Sequence, residues 1–364
     1  MRTTLRFKIL TGVMLSLMLP GFVSPASANP SWANTIALNF ISEIKGDVKL
    51  KRSQWKDYQK ANYGALLNPS DQLELSPGAS ARVMCNNSRV WVVPAGQVSL
   101  VSEGCGSRQA RGRGFNRPSR TRSAYQIIPY IISPRNTALL NDRPVLRWNA
   151  VPGATRYRVR VEDAGLTLDW QTETSQTEID YSGPPLQPDS YYFLIVETDK
   201  GDSSEEEQGT DLSFTVLDAQ NAESVRTAVA QLKQQQLTQG AEGLALAYLY
   251  QRYDLKAEAI ALLEGLVKRE TQTVAVYQLL GDLYLDVGLR QQAKSPYLQA
   301  LELAKGTGNL EGQAQAQVGL GQVEYSLGKP TQAIEWLTQA QTNYQSLGDR
   351  SKVKEVQELR EEFN

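Results

Sequence analysis

The chain has no histidine and only two cysteines, Cys85 and Cys105, and these counts bound its chemistry. Without imidazole there is no Ser-His or Cys-His nucleophile, no HExxH zinc site, and no general base whose ordinary pKa lies near neutrality. Two thiolates do not build a structural zinc site alone. Ser42-Glu43-Ile44-Lys45 has the SxxK spacing that sets a lysine beside a nucleophilic serine on a helix. Here the pattern reads as the start of a strand, and no KTG or SDN partner follows. Gly306, Gly308 and Gly312 have the wrong spacing to cradle a phosphate, and Gly328-Lys329 lacks the earlier glycine of a phosphate loop. Asp202, Glu205 and Glu206 offer carboxylates for calcium but lack a glycine-punctuated loop, so the run Asp202 to Glu207 reads as a solvated hairpin tip. A glycosidase needs only two carboxylates, yet nothing singles out a pair. No catalytic residue, metal ligand or cofactor is assigned, and the chain reads as non-enzymatic.

The 364 residues exceed one ordinary core and predict two or three domains. Arg2, Arg6 and Lys8 precede an apolar stretch from Ile9 to Leu19, and Ala26-Ser27-Ala28 supplies small residues for a signal peptidase. Residues 1–28 therefore read as an export signal cleaved after Ala28, about eleven apolar residues being too few to span a bilayer. The expected mature chain is periplasmic or extracellular and not membrane-spanning. Its formal charge moves from −1 to −4 when those three basic residues leave, which argues against a nucleic-acid partner. In an oxidising compartment Cys85 and Cys105 form either a disulfide or two buried thiols, and the even count favours the bridge.

Residues 29–107 read as an antiparallel β module: Val48 to Lys51, Leu66, Leu73 and Leu75, Ala81 to Cys85 and Arg89 to Val93 are short alternating runs between turn residues. Asn86-Asn87-Ser88 reads as a hairpin turn, because Asn tolerates positive φ. The segment resembles the FecR-type periplasmic domain, named for sensors of iron-citrate uptake. Gly46-Asp47-Val48, Trp55, Leu66 through Asp71, Leu73, Ala81-Arg82-Val83 and the turn before Val90 carry the likeness. Ser70-Asp71 stands where that family has Gly-Asp, and the sensors' membrane helix is absent. The resemblance implies a sensory or regulatory accessory.

Between 108 and 124 six arginines, Arg108, Arg111, Arg113, Arg117, Arg120 and Arg122, fall among Gly, Ser, Asn and Pro with little to bury. The segment reads as a solvated linker or as a tether for anionic wall polymer or lipid headgroups.

Residues 125–217 read as a β-sandwich of about seven strands with Trp148 on an early strand and tyrosines late. Leu146-x-Trp148, Ala154-x-x-Tyr157-x-Val159, and Leu186 followed by Tyr192-x-Leu194-x-Val196 resemble a fibronectin type III domain, which implies a spacer or adhesive module. Wall or carbohydrate binding through the β modules stays open.

The last segment, 218–364, repeats one helical pattern. Tyr277, Leu280, Gly281, Tyr284, Ala293, Tyr297 and Ala300 set the spacing; Leu246, Ala247, Tyr250, Ala259 and Leu263 repeat it thirty-four residues earlier, and Leu320, Gly321, Ala333, Leu337 and Ala340 forty residues later. A leading helix carries Val225, Ala228, Val229 and Leu232, and a closing one Val353, Val356 and Leu359. The pattern resembles the tetratricopeptide repeat, an α-solenoid of helical hairpins, so the fold class is multidomain β plus α. Pro296, inside the middle repeat's second helix, should kink that helix or delay its start.

In the resembling family the first helix of each hairpin lines a concave groove. The matching positions are Leu244, Tyr248, Gln251 and Arg252, then Gln278, Asp282, Leu285 and Asp286, then Val318, Gln322, Tyr325 and Ser326. The Lys and Asn set that grips a terminal carboxylate is missing, so the groove should take an internal segment or folded surface. The resemblance thus implies an interaction scaffold of the cell envelope that binds a protein partner.

Overall fold

The structure, a computed structural model, describes residues 39–107, 128–188, 190–207 and 212–364. The export segment 1–28 and the six linker arginines Arg108 to Arg122 lie outside the described residues. The described chain is built of β sheets, antiparallel except where Thr137 to Leu139 run parallel to Phe214 to Val216, followed by a helical repeat region.

Eight short strands form the first β module: β1 Asn39–Lys45, β2 Val48–Lys51, β3 Gln59–Lys60, β4 Leu66–Leu67, β5 Gln72–Leu75, β6 Ser80–Met84, β7 Val90–Val92 and β8 Val98–Leu100, closed by helix α1 Val101–Cys105. They pair in two four-stranded sheets, β4-β1-β6-β7 and β3-β2-β5-β8. Val48 and Leu50, Leu73 and Leu75, and Ala81 and Val83 alternate inward and are buried together with Ile41. A disulfide joins Cys85 to Cys105, Cα atoms 5.2 Å apart, and ties the end of β6 to α1. Positive φ in the β6–β7 turn falls on Ser88, at 62°, and not on an asparagine. The asparagines act through hydrogen bonds: the Arg89 N–H donates to Asn87 Oδ1 at 3.2 Å, and the Asn86 N–H to Asn39 Oδ1 at 3.0 Å. Ser42 and Lys45 lie in the second half of β1, not at a strand's start. The Ser42 hydroxyl donates to the Arg82 carbonyl at 3.1 Å, while Lys45 pairs with Glu43 at 2.8 Å.

The second β module comprises β9 Ile131–Ser133, β10 Thr137–Leu139, β11 Val145–Trp148, β12 Tyr157–Asp163, β13 Asp169–Thr174, β14 Glu178–Asp180, β15 Tyr192–Thr198 and β16 Ser213–Val216. Its sheets run β14-β11-β9 and β10-β16-β15-β12-β13. Trp148 fills the space between them, its ring edge-on to Tyr157 at 5.6 Å. The Tyr192 hydroxyl accepts from the Gln187 N–H at 2.7 Å and donates to the Gln187 carbonyl at 3.0 Å, closing the loop before β15. The acidic run is not a solvated tip throughout. Glu207 is buried against Arg135 at 2.7 Å, Asp202 accepts from Thr198, and Ser203 caps the turn Ser204–Glu206. Among the described residues no group of three potential metal ligands comes together.

Helices α2 Ala219–Lys233, α3 Gln239–Arg252, α4 Lys256–Val267, α5 Val274–Asp286, α6 Arg290–Gly306, α7 Leu310–Ser326, α8 Pro330–Leu347 and α9 Arg350–Phe363 complete the chain. Small residues let the hairpins close: a Cβ at Gly281 would stand 2.8 Å from the Tyr297 ring, and one at Gly321 2.9 Å from Leu337. Pro296 does not delay α6, which starts at Arg290 and runs on to Gly306 through the proline. Phe363 of α9 stacks on Tyr325 with ring centroids 3.8 Å apart, so the last helix caps the final hairpin. Among the described residues no helix is long and apolar enough to cross a membrane.

Candidate functional site

Residues 52–68 leave β2 and return through β3 and β4 as a loop with little repeating hydrogen bonding of its own. The loop is seated on the inner face of the repeats. Its strongest contact is Arg52, whose guanidinium reaches Glu311 of α7 through two bonds, Nε to Oε1 at 2.6 Å and a terminal nitrogen to Oε2 at 2.8 Å. A third bond of 2.5 Å goes to Asp71, and a fourth, of 2.9 Å, to the Leu66 carbonyl. Such a planar fork suits arginine and no other cation. Burial works against a charged Arg52, but Glu311 and Asp71 outweigh it and raise its pKa. Burial raises the carboxyl of Asp71 above its ordinary range, although Arg52 and the Asn68 N–H pull the other way.

Further along the loop the Lys56 N–H donates to the Leu347 carbonyl at 3.0 Å. Gly64, at φ +80°, presses its backbone onto α3 and α5: a Cβ there would lie 2.6 Å from Ala275 Cβ and 3.1 Å from Leu244 Cδ2. From β1, Phe40 meets Tyr248 with ring centroids 5.5 Å apart. A cavity of about 380 Å³ remains between loop and repeats. Trp55, Asn62 and Tyr63 line it from the loop, and Tyr248, Gln278, Asp282, Tyr297, Gln315 and Gln322 from the helices. Burial raises the phenols of Tyr63, to about 12, and of Tyr248, so both rings stay neutral.

The groove positions expected from sequence divide into three groups. Tyr248, Gln251, Gln278, Asp282, Val318 and Gln322 line the cavity. Leu244 is fully buried beneath Gly64, so the concave face is not the open groove that was expected there. The remaining five serve elsewhere. Leu285 belongs to the repeat core, Arg252 lies over the Tyr253 ring, Tyr325 stacks on Phe363, and the Ser326 hydroxyl donates to the Val323 carbonyl at 2.7 Å. The Asp286 carbonyl accepts from the Asn136 amide at 3.1 Å and so holds the second β module.

That module braces the turns of the hairpins. The α4 N-cap position is Leu255, which has no side-chain oxygen, and Thr137 supplies one: its hydroxyl accepts from the N–H groups of Lys256 at 2.9 Å and Ala257 at 3.2 Å. Beside it the Leu140 N–H donates to Glu258 at 2.8 Å, Lys256 Nζ to the Asn136 carbonyl at 2.8 Å, and Arg147 pairs with Glu264 at 3.1 Å.

Sequence reasoning missed Arg52, Gly64, Glu311 and Gln315. Gly64 alone carried a local signal, a glycine after Asn62-Tyr63 in a turn-rich stretch. Glu311 reads as an ordinary acid in a helix's first turn, because its partner lies 259 residues away.

Residues 270–346 match the family model described as tetratricopeptide repeat, which covers α5 to most of α8. No curated protein matches the chain. Similar solved structures include two of MamA, at 20% and 24% identity with TM-scores of 0.29, covering 40% of this chain and 96% and 77% of theirs. Another is BtubC (BKLC) from P. vanneervenii, at 16% identity and TM-score 0.26, covering 40% of this chain and 72% of that one. The C-terminal region therefore carries tetratricopeptide repeats, a fold that serves protein interaction.

Proposed function

We propose that the chain is an exported, non-catalytic interaction scaffold of the cell envelope whose repeats hold a protein partner on their concave face. The observation that carries this reading is the seat of residues 52–68. An internal loop of mixed polarity, anchored by Arg52 on Glu311 and by backbone at Lys56 and Gly64, already lies where a partner would bind. A partner therefore resembles this loop: an internal segment that brings a cation to Glu311 and replaces or overlies the loop.

Export rests on the charge and apolar pattern of residues 1–28 and agrees with the Cys85–Cys105 bridge, since disulfides persist in oxidising compartments. The domain reading is a FecR-like module at 29–107, a fibronectin type III-like module at 125–217 and repeats at 218–364. The fibronectin-like resemblance gains support from the β14-β11-β9 sheet, from buried Trp148, and from the Tyr192 hydroxyl tied to Gln187.

Site-specific photo-crosslinking in the native envelope tests the scaffold, with the crosslinker at position 278 or 322 of the full chain. A second polypeptide should be captured there, more strongly when Arg52→Ala loosens the loop. Crosslinks that return only residues 52–68, in both backgrounds, would remove the concave face as a partner site.

A further inference from the structure

The outer face of the β3-β2-β5-β8 sheet carries positive charge that the fold itself does not use. Directly opposed residues of antiparallel strands share a face, so the register sets two rows of side chains there. Lys60, Lys49, Glu74 and Val98 form one row, and Lys51, Gln72 and Leu100 the other. The alternate residues Leu50, Leu73 and Ser99 are buried on the inner side, which turns both rows outward. Tyr58 lies on the second row: its hydroxyl donates to Gln72 Oε1 at 2.7 Å, and Lys51 Nζ stands 5.6 Å from the centre of its ring.

Lys49, Lys51 and Lys60 enter no ion pair among the described residues. Lys60, exposed on the edge strand where it also borders the cavity, stands directly opposite Lys49, and like charges so placed are destabilising. Glu74 is the one acid in the two rows, and Glu103 beside them is turned to the Leu100 N–H at 3.2 Å, so the lysines outnumber the acids. At the opposite edge, on β8, Val98 keeps 50% of its surface and Leu100 36%. Aliphatic side chains beside lysines gain nothing from a dissolved polyanion, whose charged groups stay hydrated. They do gain from a bilayer, where phosphates meet the ammonium groups and acyl chains begin just beneath. Lysine suits that boundary, because its apolar stem lies along the interface while its charge reaches the phosphates.

We infer that this sheet face docks on an anionic lipid bilayer, with Lys49, Lys51 and Lys60 on headgroup phosphates and Val98 and Leu100 in the layer below. The inference goes beyond partner capture, which uses positions 278 and 322 on the repeats, so the two proposals fail separately.

The test is co-sedimentation of the full chain with vesicles of equal parts phosphatidylcholine and phosphatidylglycerol, with pure phosphatidylcholine as the neutral arm and inorganic polyphosphate as the soluble anion. Two variants accompany it, Lys49→Gln with Lys51→Gln and Lys60→Gln, and Val98→Ser with Leu100→Ser. Thermal melts confirm that each is folded, and loss of the opposed lysines should not lower the melting temperature. The parent should bind the anionic vesicles and not the neutral ones. The lysine variant should bind them about tenfold more weakly or worse, at about fivefold for each lysine near an anionic surface. The Val98 and Leu100 variant should lose affinity for vesicles and keep whatever affinity the parent has for polyphosphate. No binding to anionic vesicles would overturn the assignment. Binding that the lysine variant retains at full strength would also overturn it, and would assign the attraction to the arginines between 108 and 124. Vesicle binding that is indifferent to Val98 and Leu100 would replace the bilayer with a dissolved anionic polymer.

Discussion

Arg52 and Glu311, 259 residues apart, share two hydrogen bonds of 2.6 and 2.8 Å, and the same guanidinium bonds to Asp71 at 2.5 Å. Asp71 has no solvent exposure, and the side chain of Glu311 keeps 17% of its own. Removing the cation therefore strands Asp71 more than Glu311. Arg52→Ala should cost about 3–5 kcal/mol in denaturant unfolding, the range for breaking a buried pair on one side. Glu311→Gln keeps an acceptor and leaves Arg52 its Asp71 partner, so about 1 kcal/mol is expected. Equal losses for the two variants would contradict the asymmetry.

This pair marks where sequence reading ends. Alternation at Val48/Leu50 and Leu73/Leu75, the spacing from Tyr277 to Ala300, and Trp148 in an early strand each declare a local period, so sheets, sandwich and hairpins were legible. Packing between modules has no period. Gly64 against Ala275, Thr137 over the start of α4, and Glu207 under Arg135 join residues that look like a turn glycine, a strand threonine and a solvated acid. Half of the proposed groove positions still line the cavity, because helical spacing fixes which side of α3, α5 and α7 they occupy. What covers them is decided by tertiary contact alone.

The Cys85–Cys105 bridge closes a loop of 20 residues within the first β module. Constraint of the unfolded chain by a loop of that length amounts to about 3 kcal/mol. Cys85→Ser with Cys105→Ser should lower unfolding stability by that amount, and reduction of the parent chain should reproduce it. A double variant as stable as the parent would mean that the link constrains nothing that folding must order.

Thr137 serves as the cap that Leu255 cannot provide, accepting from two N–H groups at the start of α4. Thr137→Val keeps the shape and removes the oxygen, leaving those donors without it. The expected loss is about 1–2 kcal/mol, in the range of a deleted cap. Thr137→Ser should retain most of the stability, and failure of serine to rescue would assign the loss to packing of the methyl group instead.

Glu258 accepts from the Leu140 N–H at 2.8 Å in the same interface. Burial raises its carboxyl above the ordinary value of 4.5, with the Leu140 N–H pulling the other way. An acid with a raised folded pKa holds its proton more tightly folded than unfolded. Its favourable contribution is then fully present below the ordinary pKa and is lost as pH rises through the raised one. Glu258→Gln keeps the acceptor for Leu140 and cannot ionise. Stability curves of parent and variant should lie together near about pH 4 and separate by about pH 7 with the variant the more stable. A difference that does not change with pH would contradict the assignment.

Gly64 tests whether loop and repeats come apart as a unit. At φ +80° it occupies backbone space that L residues rarely enter, and its Cα side faces Ala275 and Leu244 with no room for a methyl group. Gly64→Ala therefore adds left-handed strain to an overlap of 2.6 Å with Ala275, and a cost of about 1–3 kcal/mol follows from overpacking alone. Gly64 itself lies on the loop, so the strain against Ala275 and fully buried Leu244 is relieved by lifting residues 52–68 off the repeats. Hydrogen exchange should then quicken at Lys56, whose N–H is bonded to Leu347, while Val83 in β6 keeps its protection. Uniform loss of protection through both would mean that the first β module and the repeats unfold together, and that the loop has no freedom to leave the concave face by itself.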